Sequence, residues 1–224
     1  MDKLSPPMED YLKTIYMIRE RAGREVSTTA IAAALGVTPA SVTGMVKKLA
    51  ELKLVRHTPY QGVELTRTGE KNALEVVRHH RLLELFLIEA LGYSWDEVHA
   101  EADALEHVIS EDFEDRVAAR LGYPVIDPHG DPIPAKDGTI AAIRQRALAE
   151  LQPGEAAQII RVSDSSSEML RYAAELGLRP AARVTLIKAE PFGGSLHLRV
   201  GSIDRSIGRE LAAQIFVAEE SSSS

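Results

Sequence analysis

Two helix signals separated by a short turn, over residues 27–52, constrain the fold more than any other feature of this sequence. Ser27–Thr29 can cap a short helix that ends at Gly36. Thr38 suits the N-cap of a second helix, with Pro39 at its first position and apolar residues following at helical spacing. Helix, short glycine-containing turn and helix make up a helix-turn-helix, and the sequence predicts that motif here.

The flanking segments predict a complete winged domain. Residues 8–21 place apolar side chains at intervals of three and four, which predicts an amphipathic helix. After the second helix, Leu54–His57 and Val63–Thr66 are short β-compatible runs on either side of a turn-forming segment. A hairpin directly after such a helix is a wing, so we predict a winged helix-turn-helix domain over residues 1–72.

The remainder of the chain divides into a helical part and a β-rich part. Three helical patterns follow the wing, over residues 68–91, 95–109 and 111–121. They carry more apolar residues than a small monomer would bury, which predicts a helical dimerisation domain over residues 73–137 and a homodimer. Residues 138–152 are a predicted linker. Short apolar runs at residues 156–162, 183–189, 195–200 and 214–218 then predict the strands of a small barrel-like β domain over residues 153–220, and the fold class is mainly α.

Charge is distributed unevenly along the 224 residues, whose net charge is −7. Residues 1–75 contain 11 Lys and Arg and 9 Asp and Glu, which leaves 15 and 24 for residues 76–224, so the two parts carry +2 and −9. A near-neutral head permits the nucleic-acid partner that the total charge alone would disfavour.

Composition also excludes several classes of protein. The chain has no Cys, which rules out disulfide scaffolds, thiolate metal sites and cysteine nucleophiles. No apolar stretch is long enough for a membrane span, and Met1–Asp10 shows no leader pattern. We therefore expect a cytoplasmic protein without membrane contact.

Histidine and carboxylate residues cluster in the helical part. Candidate ligands lie on one face of each of two predicted helices, namely His80 and Glu84 on the first, and His99, Asp103, Glu106 and His107 on the second. Such nitrogen and oxygen donors bind divalent metals, and the absence of sulfur favours Mn²⁺ or Fe²⁺ without excluding Zn²⁺. The alternative is an ordinary set of helix-surface ion pairs. We expect His79 to be exposed, and His57, His129 and His197 to be structural.

The leading face of the second helix of the helix-turn-helix carries small polar and methyl-bearing side chains. Such residues approach base edges and thymine methyl groups closely, while lysines behind them neutralise phosphates. We predict that double-stranded DNA is contacted by Thr28, Thr38, Pro39, Ala40, Ser41, Thr43, Lys47 and Lys48, with Tyr60 and Gln61 of the wing on the same side. A solvated helix face is the alternative.

An enzyme is a further alternative, because a carboxylate-bridged metal pair can activate water. The sequence contains no glycine-rich phosphate loop, no nucleophile elbow and no separate substrate-shaping domain. Gly193-Gly194 is explained by a hairpin turn. We therefore predict no enzymatic activity and no catalytic residue.

Six strings of the sequence resemble the family of metal-dependent transcriptional repressors that includes the diphtheria toxin repressor and the manganese transport regulators. They are Met8–Leu12, Thr38–Thr43, Leu65–Gly69, His80–Glu84, Glu106-His107 and Pro128–Pro134. They occur in family order and span most of the chain. The resemblance implies an N-terminal winged helix, a helical metal-binding and dimerisation domain, and a C-terminal SH3-like domain of the type seen in ferrous-transport accessory proteins.

The resemblance also implies two metal sites. The first draws on Asp10, Asp103, Glu106 and His107. The second draws on His80, Glu84 and His99, with Asp164 of the SH3-like domain as a candidate completing ligand.

Two departures from the family pattern bear on the metal. Iron-sensing relatives carry Met and Cys in place of Asp10 and Asp103, and the loss of both sulfur donors favours Mn²⁺ over Fe²⁺. Manganese regulators carry Glu in place of Lys13, and a protonated amine cannot be a ligand. We therefore expect two separated sites instead of a tight binuclear one.

These features together predict a homodimeric repressor that binds a palindromic operator through two recognition helices when Mn²⁺ is bound. The metal would restrict the DNA-reading heads to a spacing that fits successive major grooves. Two alternatives stay open, namely activation by Fe²⁺ and a metal-independent winged-helix regulator that senses a small organic ligand.

Overall fold

The computed structural model describes residues 4–22, 25–58 and 62–218. The chain forms two compact units that interleave in sequence. The first unit consists of residues 1–80, 105–114 and 134–139, and the second consists of residues 81–104, 115–133 and 140–224.

Three helices and a hairpin form the N-terminal part of the first unit. They are α1 (Pro6–Ala22), α2 (Thr28–Leu35), α3 (Pro39–Glu51), β1 (Val55–Thr58) and β2 (Gly62–Leu65), with the two strands paired antiparallel. This arrangement confirms the predicted winged helix-turn-helix. Tyr60 and Gln61, which we predicted at the tip of the wing, lie outside the described residues.

Local capping explains why α2 and α3 begin and end where they do. Ser27 Oγ accepts a hydrogen bond from the Ala30 N–H at 3.1 Å, and Gly36 ends α2 in the left-handed region with a φ of +64°. Thr38 Oγ1 accepts from the Ser41 N–H at 3.2 Å at the start of α3. Each cap therefore satisfies a helix-end amide that would otherwise lack an intrahelical partner.

The inner faces of α1, α2 and α3 form the core of this part. Its largest fully buried side chains are Leu12, Ile15, Ile31 and Leu49, and Val42 and Val46 are also buried. Burial of each such side chain contributes about 1.5–3 kcal/mol. No single described helix is long and apolar enough to cross a membrane, and α2 and α3 reach the required length only together, with a bend of 111° between them.

Three further helices follow the wing, and the first two of them carry most of the candidate ligands. They are α4 (Arg67–Leu91), α5 (Val98–Leu105) and α6 (Glu111–Arg120). Helix α5 is shorter than the predicted helix over residues 95–109, because residues 95–97 form a turn. The indole N–H of Trp95 donates to the Pro128 carbonyl at 3.0 Å, and its ring packs against the core of the C-terminal domain. Those contacts hold Trp95 away from a continuous helix.

The C-terminal domain, within the second unit, is a six-stranded antiparallel sheet. Its elements are β3 (Gln145–Ala147), β4 (Ala156–Val162), α7 (Ser167–Glu175), β5 (Arg183–Ala189), β6 (Leu196–Val200), β7 (Ile203–Ile207), α8 (Arg209–Ala213) and β8 (Ile215–Ala218). The strand order is β3-β8-β4-β5-β6-β7. Buried residues on several strands, including Ile159 on β4, Leu186 on β5 and Leu198 on β6, form one core.

The predicted linker over residues 138–152 contributes structure to this domain. Gln145 pairs with Ala218 across β3 and β8, and Leu148 and Leu151 are buried in the core. Strand β3 has three half-buried residues, and most of β7 is exposed, so neither strand carries the apolar alternation that marks a strand in a sequence.

A loop of the second unit is held against strand β4. Gly130 has a φ of +94°, and a Cβ atom at this position would lie 1.9 Å from the Ile160 carbonyl oxygen. A hydrogen bond next to this contact also joins the two segments: the Val162 N–H donates to the His129 carbonyl at 2.9 Å. Only glycine fits this approach, and the position of His129 depends on it.

Candidate metal centres and DNA-binding face

Asp10, Glu106 and His107 form cluster A, which lies in the first unit. Asp10 is on α1, and the other two residues are in the turn that follows α5. His107 Nε2 is 2.8 Å from Asp10 Oδ1 and 3.4 Å from Glu106 Oε1. One donor atom from each residue lies within 4.8 Å of the others, so the three can surround one ion.

Three neighbouring side chains border cluster A. Glu9 Oε2 is 2.7 Å from His107 Nδ1, so Glu9 orients the imidazole from the side opposite Asp10. Lys13 Nζ and His80 Nδ1 both approach Glu106 Oε2, at 2.7 and 2.6 Å. The sequence prediction missed Glu9, although it adjoins Asp10 in the first of the six strings.

Glu84, His99, His129 and Asp164 form cluster B, which lies in the second unit. His99 Nδ1 is 3.0 Å from Glu84 Oε1 and 4.0 Å from Asp164 Oδ2. His129 Nε2 is 3.8 Å from the same Glu84 oxygen. Glu84, His99 and Asp164 each offer a donor atom within 4.8 Å of the others. Helices α4 and α5, the segment after β4 and the loop before Gly130 supply one residue each.

His129 distinguishes cluster B from a surface ion-pair network. Its side chain is 0% exposed, and neither ring nitrogen has a hydrogen-bond partner in the described part of the chain. Burial lowers the pKa of His129, although the Glu84 and Asp164 carboxylates offset part of that effect, and this shift favours the neutral ring, which keeps a lone pair. A buried polar group left unpaired costs about 1–3 kcal/mol, which a bound cation would recover. We had expected a structural role for His129; its place in the Pro128–Pro134 string was the available signal.

A buried carboxylate fixes the loop that carries His129. Asp127 Oδ1 accepts from the backbone N–H groups of His129 and Asp131, both at 2.8 Å. Burial, together with the negative charges of Asp131 and Glu84, raises the pKa of Asp127 well above its usual range. Arg81 lies on the other Asp127 oxygen at 3.6 Å. The histidine is therefore held by its backbone as well as by the contact with β4.

The remaining predicted ligands lie outside both clusters. His80 belongs to the first unit, where Glu106 and Lys13 hold its Nδ1 atom at 2.6 and 3.0 Å. Asp103 belongs to the second unit, is exposed, and places Oδ2 3.5 Å from His99 Nε2. Both residues stay predicted ligands. The expectation that His79 is exposed was wrong, because its exposed fraction is 8%.

The predicted DNA-reading face of α3 points to solvent. Exposed side chains on it are Thr38, Pro39, Ala40, Ser41, Thr43, Lys47 and Lys48, whereas Thr28 on α2 is half-buried. Three hydroxyls of this face bond locally: Thr43 Oγ1 donates to the Pro39 carbonyl at 2.9 Å, and Thr38 Oγ1 lies 2.9 Å from Ser41 Oγ. The face is therefore accessible along its whole length and rich in methyl groups.

Comparison with known proteins agrees with this geometry. The family model for the N-terminal DNA-binding domain of iron-dependent repressors matches residues 3–63, and the model for their metal-binding and dimerisation domain matches residues 66–135. A FeoA domain model matches residues 146–219. The iron-dependent repressor IdeR of Mycobacterium leprae (strain TN) is 32% identical over 230 residues, which cover 97% of this chain and 99% of that relative. The chain belongs to the iron-dependent repressor family.

Solved structures and a shorter relative widen this comparison. A manganese-dependent transcriptional repressor in complex with manganese has a TM-score of 0.89 and 39% identity, covering 94% of this chain and 99% of that one. The regulator MntR of Bacillus subtilis (strain 168) is 36% identical over 119 residues, which cover 53% of this chain and 82% of MntR. Both iron-named and manganese-named repressors are thus similar to this chain.

Membership of the family confirms the predicted fold and general function. The protein is a metal-dependent DNA-binding transcriptional repressor with a helical dimerisation domain and a C-terminal FeoA domain, which is the predicted SH3-like module. The two matched repressor domains support DNA and a second copy of the chain as its partners. Because the family consists of transcriptional repressors, it implies a protein without a catalytic role.

Proposed function

We propose that Mn²⁺ activates this repressor by binding at cluster A and at cluster B, and that the activated homodimer binds a palindromic operator. The observation that carries the proposal is the chemistry of the two donor sets, which contain carboxylate oxygens and imidazole nitrogens and no sulfur. Such donors suit Mn²⁺, and neither set contains the thiolate ligands that favour softer metal ions.

Cluster A supports the regulatory step. Asp10 lies on α1, which packs against α2 of the helix-turn-helix, whereas Glu106 and His107 lie after α5. An ion held by all three would stabilise the conformer in which these segments meet. A ligand shifts a conformational equilibrium only through such a difference in affinity, and the preferred conformer would be the one that fits DNA.

Lys13 supports one ion at cluster A instead of two. Its ammonium is 2.7 Å from Glu106 Oε2 and 3.0 Å from His80 Nδ1, on the side of the carboxylate away from His107. A cation that is part of the chain thus already neutralises the oxygen that a second ion would need. We propose separated sites, one in each unit.

We further propose that residues 1–72 bind DNA, that residues 73–137 form the metal-binding and dimerisation domain, and that the FeoA domain begins at Gln145. The DNA contacts are proposed for the exposed face of α3, with Lys47 and Lys48 on the phosphates. Two copies related by a two-fold axis would present two such helices to half-sites about one helical turn apart.

Selection of DNA from a random duplex pool tests the proposal. With Mn²⁺ we expect enrichment of a palindrome, and fluorescence anisotropy of that duplex should show tight binding that EDTA reverses. DNA binding by Asp10→Asn should no longer be activated by Mn²⁺. Asp204→Asn, on the exposed edge strand β7, is the matched control and should still be activated. Equal enrichment with and without Mn²⁺ would refute the proposal.

Activation by Fe²⁺ is the second candidate, because full-length relatives are named iron-dependent repressors. Anaerobic anisotropy titrations with Mn²⁺ and Fe²⁺ at equal free concentration separate the two. We expect half-maximal DNA binding at a lower free Mn²⁺ concentration. The opposite order would assign the physiological role to Fe²⁺ and leave the sites unchanged.

A further inference from the structure

His79 is a buried histidine that lies between two hydrogen-bond acceptors in the first unit. Its Nδ1 atom is 3.1 Å from the Glu106 carbonyl oxygen, and its Nε2 atom is 3.2 Å from Glu114 Oε2. A carbonyl oxygen and an ionised carboxylate only accept, so both ring nitrogens donate. His79 is thus a donor to the backbone of a residue that belongs to cluster A.

The histidine is itself held by a chain of polar contacts. Arg78 Nε donates to the second oxygen of Glu114 at 2.6 Å, and Arg78 Nη1 donates to the Pro134 carbonyl at 2.8 Å. Glu114 is 2% exposed. This series of hydrogen bonds therefore runs from Pro134 through Arg78, Glu114 and His79 to the carbonyl of Glu106. Each hydrogen bond in it is charge-assisted.

Cluster A needs such a support at this point of the backbone. Glu106 and His107 follow the last residue of α5 and form a turn, so their carbonyl groups have no partner within the helix. Their side chains nonetheless have to meet one ion together with Asp10. A rotation of the Glu106 peptide would turn both donor side chains at once.

We propose that His79 is the positioning residue of the metal centre at cluster A, acting through the hydrogen bond from its Nδ1–H to the Glu106 carbonyl. The inference rests on the proposed metal function of cluster A. His79 touches no ion and no DNA in this assignment. Its contribution is to hold Glu106 and His107 in the orientation that a single cation requires.

Two conservative variants separate the bond to Glu106 from the bond to Glu114. The amide nitrogen of Asn occupies the place of Nδ1, and that of Gln occupies the place of Nε2. His79→Asn therefore keeps the donor to Glu106, and His79→Gln keeps the donor to Glu114. His79→Leu removes both donors and serves as a second loss variant should His79→Gln fail to fold.

Mn²⁺ binding to the full-length protein is the readout, measured by electron paramagnetic resonance of the free ion. We expect His79→Gln and His79→Leu to weaken the cluster A site about 10- to 100-fold, the usual effect of losing a support of a metal ligand. His79→Asn should stay within about threefold of the unmodified chain, well below that range. Thermal unfolding of the metal-free variants reports any general loss of stability.

Cluster B supplies an internal control, because a general structural role of His79 would also disturb Mn²⁺ binding at this second site. Trp95 is the single Trp of the chain, and its ring centroid is 5.1 Å from that of His129, so its fluorescence reports Mn²⁺ at cluster B. All three variants should leave that signal unchanged. The pair His197→Asn and His197→Gln, at a half-buried residue whose Nε2 atom lies 3.2 Å from Glu190 Oε1, controls for the substitutions themselves.

The outcomes discriminate cleanly. Equal loss in His79→Asn and His79→Gln, loss at both clusters, or no loss in any variant overturns the positioning role. Failure of the unmodified chain to bind Mn²⁺ at cluster A overturns the proposed function itself, and the inference with it, before any variant is compared.

Discussion

Cluster A and cluster B use the same kinds of donor but differ in how the protein balances their polar groups. In cluster A, Glu9 pairs with His107, and Lys13 and His80 contact Glu106, so each donor side chain has a protein partner. In cluster B, His129 is fully buried and both of its ring nitrogens lack a hydrogen-bond partner among the described residues. Cluster A thus forms a satisfied polar network on its own, whereas the buried imidazole of cluster B lowers the stability of the fold unless a cation binds.

This difference suggests separate tasks for the two sites. An ion at cluster A would have to compete with existing ion pairs, so its occupancy would respond to the free metal concentration. An ion at cluster B would join α4, α5, the loop around Gly130 and the segment after β4 within the second unit, where it would stabilise the fold. The first site is suited to sensing and the second to structure.

The largest expected effect comes from removing the central carboxylate of each cluster. Glu106→Gln should weaken Mn²⁺ binding at cluster A by about 100-fold or more and leave cluster B intact, because Glu106 is a direct donor in one cluster only. Glu84→Gln should show the reverse pattern. Equilibrium dialysis with Trp95 fluorescence measures both, and a loss of both ions in either variant would contradict the separation.

The next effect is on stability, and it tests the imbalance at cluster B directly. His129→Leu should abolish Mn²⁺ binding at cluster B, yet the metal-free variant should resist urea as well as the parent or better. The buried unpaired nitrogens, which cost about 1–3 kcal/mol, are replaced by an apolar group. Urea unfolding with and without EDTA measures this, and a less stable metal-free variant would show that the ring has a structural partner.

A smaller effect follows from the competing cation at cluster A. Lys13→Gln removes the ammonium from Glu106 Oε2, so Mn²⁺ no longer competes with it and should bind about 5- to 10-fold more tightly, the equivalent of one hydrogen bond of about 1 kcal/mol net. Isothermal titration calorimetry measures the change. Arg199→Gln, whose partner Asp204 is exposed, is the control, and weaker binding in Lys13→Gln would assign Lys13 a supporting role instead.

The smallest effect concerns the support of cluster A in acid. Burial opposes ionisation of Glu114, but the hydrogen bonds from His79 and Arg78 prevail and lower its pKa. A group with a lowered pKa in the folded state stabilises the fold above its unfolded-state pKa and loses that contribution as pH falls through its folded pKa. Glu114→Gln should therefore flatten the acid side of the stability curve by about 1 kcal/mol. Urea unfolding between pH 3 and pH 7, a range that includes the ordinary Glu pKa of about 4.3, checks this.

The winged helix was predictable because its determinants are local. The caps at Ser27 and Thr38, the glycine after α2 and the apolar stripe of α3 all act within a few residues. Strands β3 and β7 were missed for the opposite reason, because they exist by pairing with β8 and β6 and carry no alternation of their own.

The candidate sites divide along the same line. Helical spacing predicted the donors on α4 and after α5, and the structure brings Asp10, Glu106 and His107 together. His129 depends on the close approach of Gly130 to β4, a contact between segments about 30 residues apart that no local pattern encodes. The pairing of His80 with Glu106 likewise follows from packing, although His80 and Glu84 share a helical face.

The local hydrogen bonds of α3 have a consequence for how the operator is read. The Thr43 hydroxyl donates its proton to the Pro39 carbonyl, and one hydroxyl of the Thr38 and Ser41 pair donates to the other. Two of these three hydroxyls therefore cannot donate to guanine O6 or N7, and the remaining outward groups are mainly methyls, including that of Ala40. Operator reading through this helix would then depend on the 5-methyl group of thymine, and uracil would be a poor substitute at the contacted steps.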